Sequence, residues 1–391
     1  MKYPLLKTFH CMAHRLELAV KNSVDTVNAV SHFRIFVDEL YKVYSMSPKN
    51  QKELEDVAAK LSIELMKVQQ VFDVRWVFSS FVSVKAVLRD YCALFNHFTQ
   101  CASPNSDRPS KDRSKYTGLL KKLQSWFSVC ETCMLKDALR CLKQLSLYLQ
   151  SNAATVVNVS SHVDDAKLKL LALKQENGAT LSKFLSSYER DQHYKGVEIV
   201  KKDSDQTQFL SLRSQFFQCL YDNLQQRFPA ADFLESANCL NPSAWPRDPL
   251  QRALFGEKNV AKLCKDFCIN IADAADVVLQ YSMFKNSDGL EVGQKLKNLV
   301  KLLEVLPVSS ADCERGFSQM NLYHTSGRNR LLVSSVNDLL MLGINGPPLA
   351  FWNAEKYVIS WLKAGRHGAL DKATGLPKKI EEVKHSSTLF L

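Results

Sequence analysis

Residues 306–342 read LPVSSADCERGFSQMNLYHTSGRNRLLVSSVNDLLML, and the fold is read outward from them. Pro307 ends one apolar helix, and Ser309 or Ser310 is placed to cap the next. Asp312 and Glu314 fall in its first turn, where unpaired backbone N–H groups favour acids. Phe317 and Met320 carry an apolar stripe as far as Thr325-Ser326-Gly327. After the cationic turn Arg328-Asn329-Arg330, a second helix places Leu332, Val333, Val336, Leu339 and Leu340 at helical spacing.

That order of parts resembles the C-terminal dimerisation region of hAT-superfamily DNA transposases. The matching elements are the small-residue and Ser approach, Glu314-Arg315, Phe317-Ser318, Arg328-Asn329-Arg330-Leu331 and the apolar helix that follows. In that family the Glu of the Glu-Arg pair is the last acid of an Asp-Asp-Glu set on an RNase H-like fold. Such a set holds two Mg2+-type ions about 3.5–4 Å apart. The resemblance therefore implies that Glu314 is the third acid. From the residues alone, Glu314 reads as an ordinary first-turn helix acid.

A second landmark lies near the other end, at His10-Cys11-Met12-Ala13-His14. Leu5-Leu6 and Thr8-Phe9 suit a short strand, and Leu16, Ala19, Val20, Val24 and Val27 follow a helical period. A Cys-x-x-His running into a Leu-rich helix is similar to a hAT feature found after the second catalytic Asp, and Cys11 and His14 match it. The residues before Cys11 hold no Asp or Glu. The expectation is that both upstream acids, and the family's BED-type zinc-binding DNA-recognition domain, are absent. One carboxylate cannot assemble a two-metal site, so the expected protein is not an enzyme. Read as zinc ligands, Cys11 and His14 supply two of the four that a structural site needs. Cys130 and Cys133 sit in an apolar helical pattern as small buried thiols, so no metal and no cofactor is assigned, with Mg2+ expected only if a longer form restores the two Asp.

The helix is expected to continue through Phe33, Phe36, Val37, Leu40, Tyr41 and Tyr44. Ser47-Pro48 restarts one, with Leu54, Val57, Leu61 and Leu65 on its buried face. Arg75-Trp76, with Ser79-Ser80 after it, matches a third hAT landmark and opens an apolar helix running to Phe98. The alternative reading of Arg75-Trp76 is a partly buried Trp beside a cation. Residues 103–114 (SPNSDRPSKDRS) read as a linker. Beyond them come successive helices, the clearest at 119–129, 134–149, 166–171, 209–228, 260–267, 272–284 and 292–303. His162, Asp164 and Asp165 form a polar cluster in an expected loop. A last helix over 351–362 carries Val358 and Trp361.

The expected fold is therefore mainly α: a large helical insertion domain with a truncated remnant of an RNase H-like α/β fold. Its parts are the remnant at 1–30, the insertion domain at 31–300, the dimerisation region at 301–364 and a flexible tail at 365–391. No phosphate-binding loop, dinucleotide fingerprint or Ser/His/Asp signature is found.

No apolar run approaches the ~20 residues that span a bilayer, and the N-terminus lacks a signal-peptide core. The 11 cysteines are expected to be mostly free thiols in a reducing compartment. Net charge is +11, but from Lys301 onward eleven Lys/Arg face eight Asp/Glu, so the tail is no strong basic patch. The charge permits DNA contact without requiring it.

The resemblance implies a nuclear, transposon-derived protein that forms a homodimer or higher homo-oligomer, with no membrane or small-molecule partner. Dimerisation is expected through Phe317, Leu332, Val336, Leu339, Leu340, Val358 and Trp361, with residual DNA contact through Arg328 and Arg330. Two alternatives stand beside it. One is a fragment of an active transposase, with the missing Asp residues upstream. The other is a chromatin- or DNA-binding adaptor.

Overall fold

The computed structural model describes residues 10–71, 76–228, 232–347 and 349–363. The chain divides into two compact units, 1–312 and 313–391. Both are built from helices, and among the described residues the named strands are the short pair His193–Tyr194 and Val197–Glu198. No described helix is long and apolar enough to cross a membrane.

The first unit opens with α1 (Met12–Thr26), α2 (Asn28–Ser45) and α3 (Pro48–Lys60). On α1, Met12, Leu16, Ala19, Val20 and Val24 are buried at helical spacing, as the periodicity predicts. The expected single helix through Tyr44 breaks at Val27, whose extended backbone (φ −98°, ψ 94°) separates α1 from α2. Ser47 caps α3 by accepting from Asn50 N at 3.3 Å, with Pro48 in the first turn. That helix ends at Lys60, so Leu61 is exposed and Leu65 is half-buried in the non-helical stretch beyond it.

Next come α4 (Trp76–Arg89) and α5 (Tyr91–Ala102). The helix expected to run to Phe98 divides at Asp90, whose carboxylate turns to accept from Met66 N at 3.0 and 3.2 Å. The expected linker at 103–114 is shorter, because α6 (Ser110–Gln124) starts inside it and packs on α5. Its Tyr116 and Leu119 are buried, which explains why the sequence turns helical there.

The centre is α7 (Trp126–Leu149), which packs against α4, α8 (Val159–Gln175), α9 (Ala179–Asp191) and α10 (Asp205–Arg227). It is buried on most of its circumference, from Trp126 through Cys130, Cys133, Leu135 and Leu139 to Leu149. A helix apolar on so much of its circumference belongs in a core. Between α6 and α7 the chain is extended at Ser125 and pairs with Val200, through Val200 N to Gln124 O at 2.7 Å and Trp126 N to Val200 O at 2.9 Å. The strand pair joins through Lys195 and Gly196, both at positive φ (51° and 78°), as a two-residue hairpin turn demands.

Two helices begin at glycines because a side chain from another helix caps them. Asp137 of α7 accepts from Thr180 N (3.0 Å) and Leu181 N (3.1 Å) at the start of α9. A Cβ on Gly178 would stand 2.4 Å from that carboxylate. The same device starts α15 (Gln294–Glu304), where Gln280 Oε1 accepts from Lys295 N and Leu296 N at 2.9 and 3.0 Å. A Cβ on Gly293 would lie 2.3 Å from that oxygen. At the other end of α8, Arg213 donates to Leu173 O at 2.8 Å, closing carbonyls that the helix leaves unpaired.

The first unit is completed by α11 (Asp232–Asn238), α12 (Pro249–Leu254), α13 (Glu257–Asp266) and α14 (Ile271–Asn286), on which α15 packs. Leu296, Leu299 and Leu303 are fully buried, as their spacing predicts. The His162, Asp164 and Asp165 cluster lies on α8, not in a loop, and His162 stacks on Tyr148 at 3.6 Å.

The second unit contains α16, which starts at Ala311 and runs to Tyr323, then α17 (Val333–Asn345) and α18 (Glu355–Lys363). The last helix therefore starts four residues later than Phe351. A Cβ on Gly343 would come within 2.3 Å of Tyr323 Oη, so α17 approaches α16 closely there.

Candidate functional site

The first helix collects residues that are far apart in sequence. Cys11 occupies the N-cap of α1, and its Sγ accepts from both Ser310 N and Ser310 Oγ at 3.4 Å. One residue on, Met12 N donates to Val308 O at 3.0 Å, which satisfies a first-turn donor that α1 itself cannot. Burial raises the half-buried Cys11 thiol, but the Ser310 bonds and the His14 and Ala13 N–H groups outweigh it and lower its pKa. A sulfur at a helix N-terminus is placed to carry negative charge. His14 points to solvent, and its ring centroid stands 5.4 Å from that of His10.

Farther along α1, Glu17 Oε2 accepts from Val77 N at 3.1 Å. That bond ties the opening turn of α4, where Trp76 sits, to α1. Trp76 is buried, and its indole N–H meets no acceptor among the described residues. Arg75 lies outside the described residues. The opposite face of α1 is joined to α10 through Arg15 Nη1 to Arg227 O (3.2 Å) and Asn223 Nδ2 to Ser23 Oγ (3.0 Å).

The Cys11 landmark, the Trp76 landmark and the Ser310 approach thus meet on one helix. Cys130 and Cys133 are buried within α7. No group of three or more His, Cys, Asp and Glu ligand atoms among the described residues includes Cys11 or His14.

In the second unit, Glu314 is exposed in the first turn of α16, and within that unit it joins no such group. Phe317 (63%), Leu332 (71%), Val358 (50%) and Trp361 (54%) are exposed, while Val336, Leu339 and Leu340 are half-buried. Arg328 and Arg330 are both exposed in the connection between α16 and α17. Among residues 313–363 whose burial is described, none is buried. Much of the apolar stripe seen in the sequence is therefore exposed.

A group that the sequence reading missed lies on α3 and α5, where Glu53, His97 and Cys101 converge. The available signal was the i, i+4 spacing of His97 and Cys101, which puts both on one face of a helix. Glu53 comes from a separate helix, which no spacing rule reveals.

No family model matches the chain, and no solved structure matches it.

Proposed function

We propose that this chain derives from the hAT transposase lineage, is not catalytic, and acts by self-association through residues 313–363. In this reading, α1 and α16 descend from helices of an RNase H-like core, and the helices between them correspond to the family's insertion. The gathering of the Cys11, Trp76 and Ser310 segments on α1 supports that descent, since these are the neighbourhoods in which the three landmarks fall. Glu314 then stands at the ancestral position of the third acid.

The observation that carries the functional part is the exposure of the apolar residues on α16, α17 and α18. Short helices are marginal by themselves, and most of their stability comes from packing an apolar face. Exposed Phe, Leu, Val and Trp side chains on three successive helices suit an interaction surface. A second copy is the economical partner, because one self-complementary patch closes a two-fold dimer. Arg328 and Arg330, in the connection between α16 and α17, would add salt-dependent contact with DNA phosphates.

The test is the solution mass of the full chain beside a Leu332→Asp/Val336→Asp variant. Self-association lost in the variant, with helicity retained, supports the reading. Equal masses for the two proteins would remove α17 from the interface.

A further inference from the structure

Glu53, His97 and Cys101 place one carboxylate oxygen, one ring nitrogen and one sulfur within 4.8 Å of one another. His97 Nε2 stands 3.2 Å from Glu53 Oε2 and 3.3 Å from Cys101 Sγ. Tetrahedral zinc, with bonds of about 2.0–2.3 Å, sets its ligand atoms about 3.3–3.8 Å apart. Two of the three separations are thus close to those of a coordination sphere. The third is closed by rotation of Glu53, whose side chain is 34% exposed and which also gives an ion its way in.

The other nitrogen of His97 is already engaged. Nδ1 lies 2.9 Å from Tyr44 Oη, so a proton on Nδ1 leaves the Nε2 lone pair directed at Glu53 and Cys101. Such outer partners hold a ligand histidine in its binding tautomer and orientation. His97 and Cys101 are both buried, which holds their rotamers.

We propose that Glu53, His97 and Cys101 bind a zinc-class divalent cation that clamps α3 to α5, with water as the fourth ligand. Mixed sulfur, nitrogen and oxygen donors select zinc or its tetrahedral analogues over magnesium or calcium. The proposal is independent of the self-association reading, because it rests on α3 and α5 alone.

The charges around the site are compatible with an ion. Lys49 and Glu53 face it from α3, Tyr44 from α2, Arg108 from the turn after α5, and Tyr116 from α6. Arg108 pairs with Glu53 and lies over the Tyr116 ring at 4.9 Å. Arg108 Nη2 pairs with Glu53 Oε2, the oxygen that also faces His97 Nε2, so the carboxylate turns to offer Oε1 to the metal and keeps Oε2 for the guanidinium. Burial lowers the His97 pKa, which favours the form with a free ring lone pair. Burial also pushes the Cys101 thiol up to about 11. Binding therefore breaks the S–H bond, forms an S–metal bond and releases one proton to solvent.

The experiment is a Co2+ titration of the full-length reduced protein after chelator treatment, read by absorption. One equivalent should give a near-ultraviolet thiolate-to-cobalt band and intense tetrahedral visible bands, both erased by one equivalent of Zn2+. The thiolate band should vanish in Cys101→Ser and persist in Cys11→Ser. Tyr44→Phe, which removes only the outer partner, should keep the band and weaken binding about 10–100-fold. If Cys101→Ser does not fold, Glu53→Gln and Tyr44→Phe decide, and unchanged affinity in both overturns the proposal. So does a wild-type protein with no thiolate band, or a Cys101→Ser protein that folds and keeps it.

Discussion

Ser310 donates to the Cys11 sulfur through both its backbone N–H and its hydroxyl, across 299 positions of sequence. The contact closes the first unit, joining the beginning of its first helix to the segment that leads out of its last. It also gives Cys11 an environment unlike that of the other thiols.

Cys11 is therefore expected to be the most nucleophilic cysteine that is not fully exposed. The Ser310 bonds hold its pKa down, whereas burial raises Cys101, Cys133 and Cys239 to about 11, 12 and 12. Timed iodoacetamide labelling with peptide mapping at neutral pH should modify Cys11 well before Cys133 and Cys239. Ser310→Ala should slow the Cys11 reaction several-fold and leave Cys268 and Cys313, both exposed, unchanged.

Gly178 is required by the approach of Asp137. Its missing Cβ leaves room for the carboxylate that caps α9, and a methyl group there would collide with it. Gly178→Ala should cost about 1–3 kcal/mol in urea unfolding, the usual range for overpacking. Asp137→Ala should cost about 1–2 kcal/mol by loss of the cap. The double variant should be less harmful than the sum, because each change removes what the other clashes with or loses.

Glu131 makes stability depend on pH. It is buried on α7 with Oε1 unpaired among the described residues, and burial raises its pKa from 4.5 to about 8 against a weaker opposing pull from Lys122. Because the folded value lies above the unfolded one, this contribution is complete below about pH 4.5 and is lost as the pH rises through about 8. Unfolding at pH 5 and pH 8 should show wild type losing about 2–4 kcal/mol relative to Glu131→Gln. A pH-independent difference between the two proteins would contradict the assignment.

Helices whose apolar residues face one core were legible, as Leu16, Ala19, Val20 and Val24 on α1 and Leu296, Leu299 and Leu303 on α15 show. So was the Ser47-Pro48 start, because the capping chemistry is local. The breaks at Val27 and Asp90 were not legible. Each interrupts a continuous apolar pattern, and Asp90 is held by a bond to Met66, 24 positions away. The capping of α9 was hidden for the same reason, since it comes from Asp137 on another helix. At the candidate site, the sequence contained Cys11 and Trp76 as separate landmarks. Their meeting on α1 depends on Glu17 and Ser310, which carry no local signal for it.

The most direct test of self-association is the mass of the unaltered chain by multi-angle light scattering at tens of micromolar, repeated after tenfold dilution. A dimer or larger species is expected, which dissociates on dilution or persists as a defined dimer. A monomeric mass near 44.3 kDa at both concentrations would contradict it.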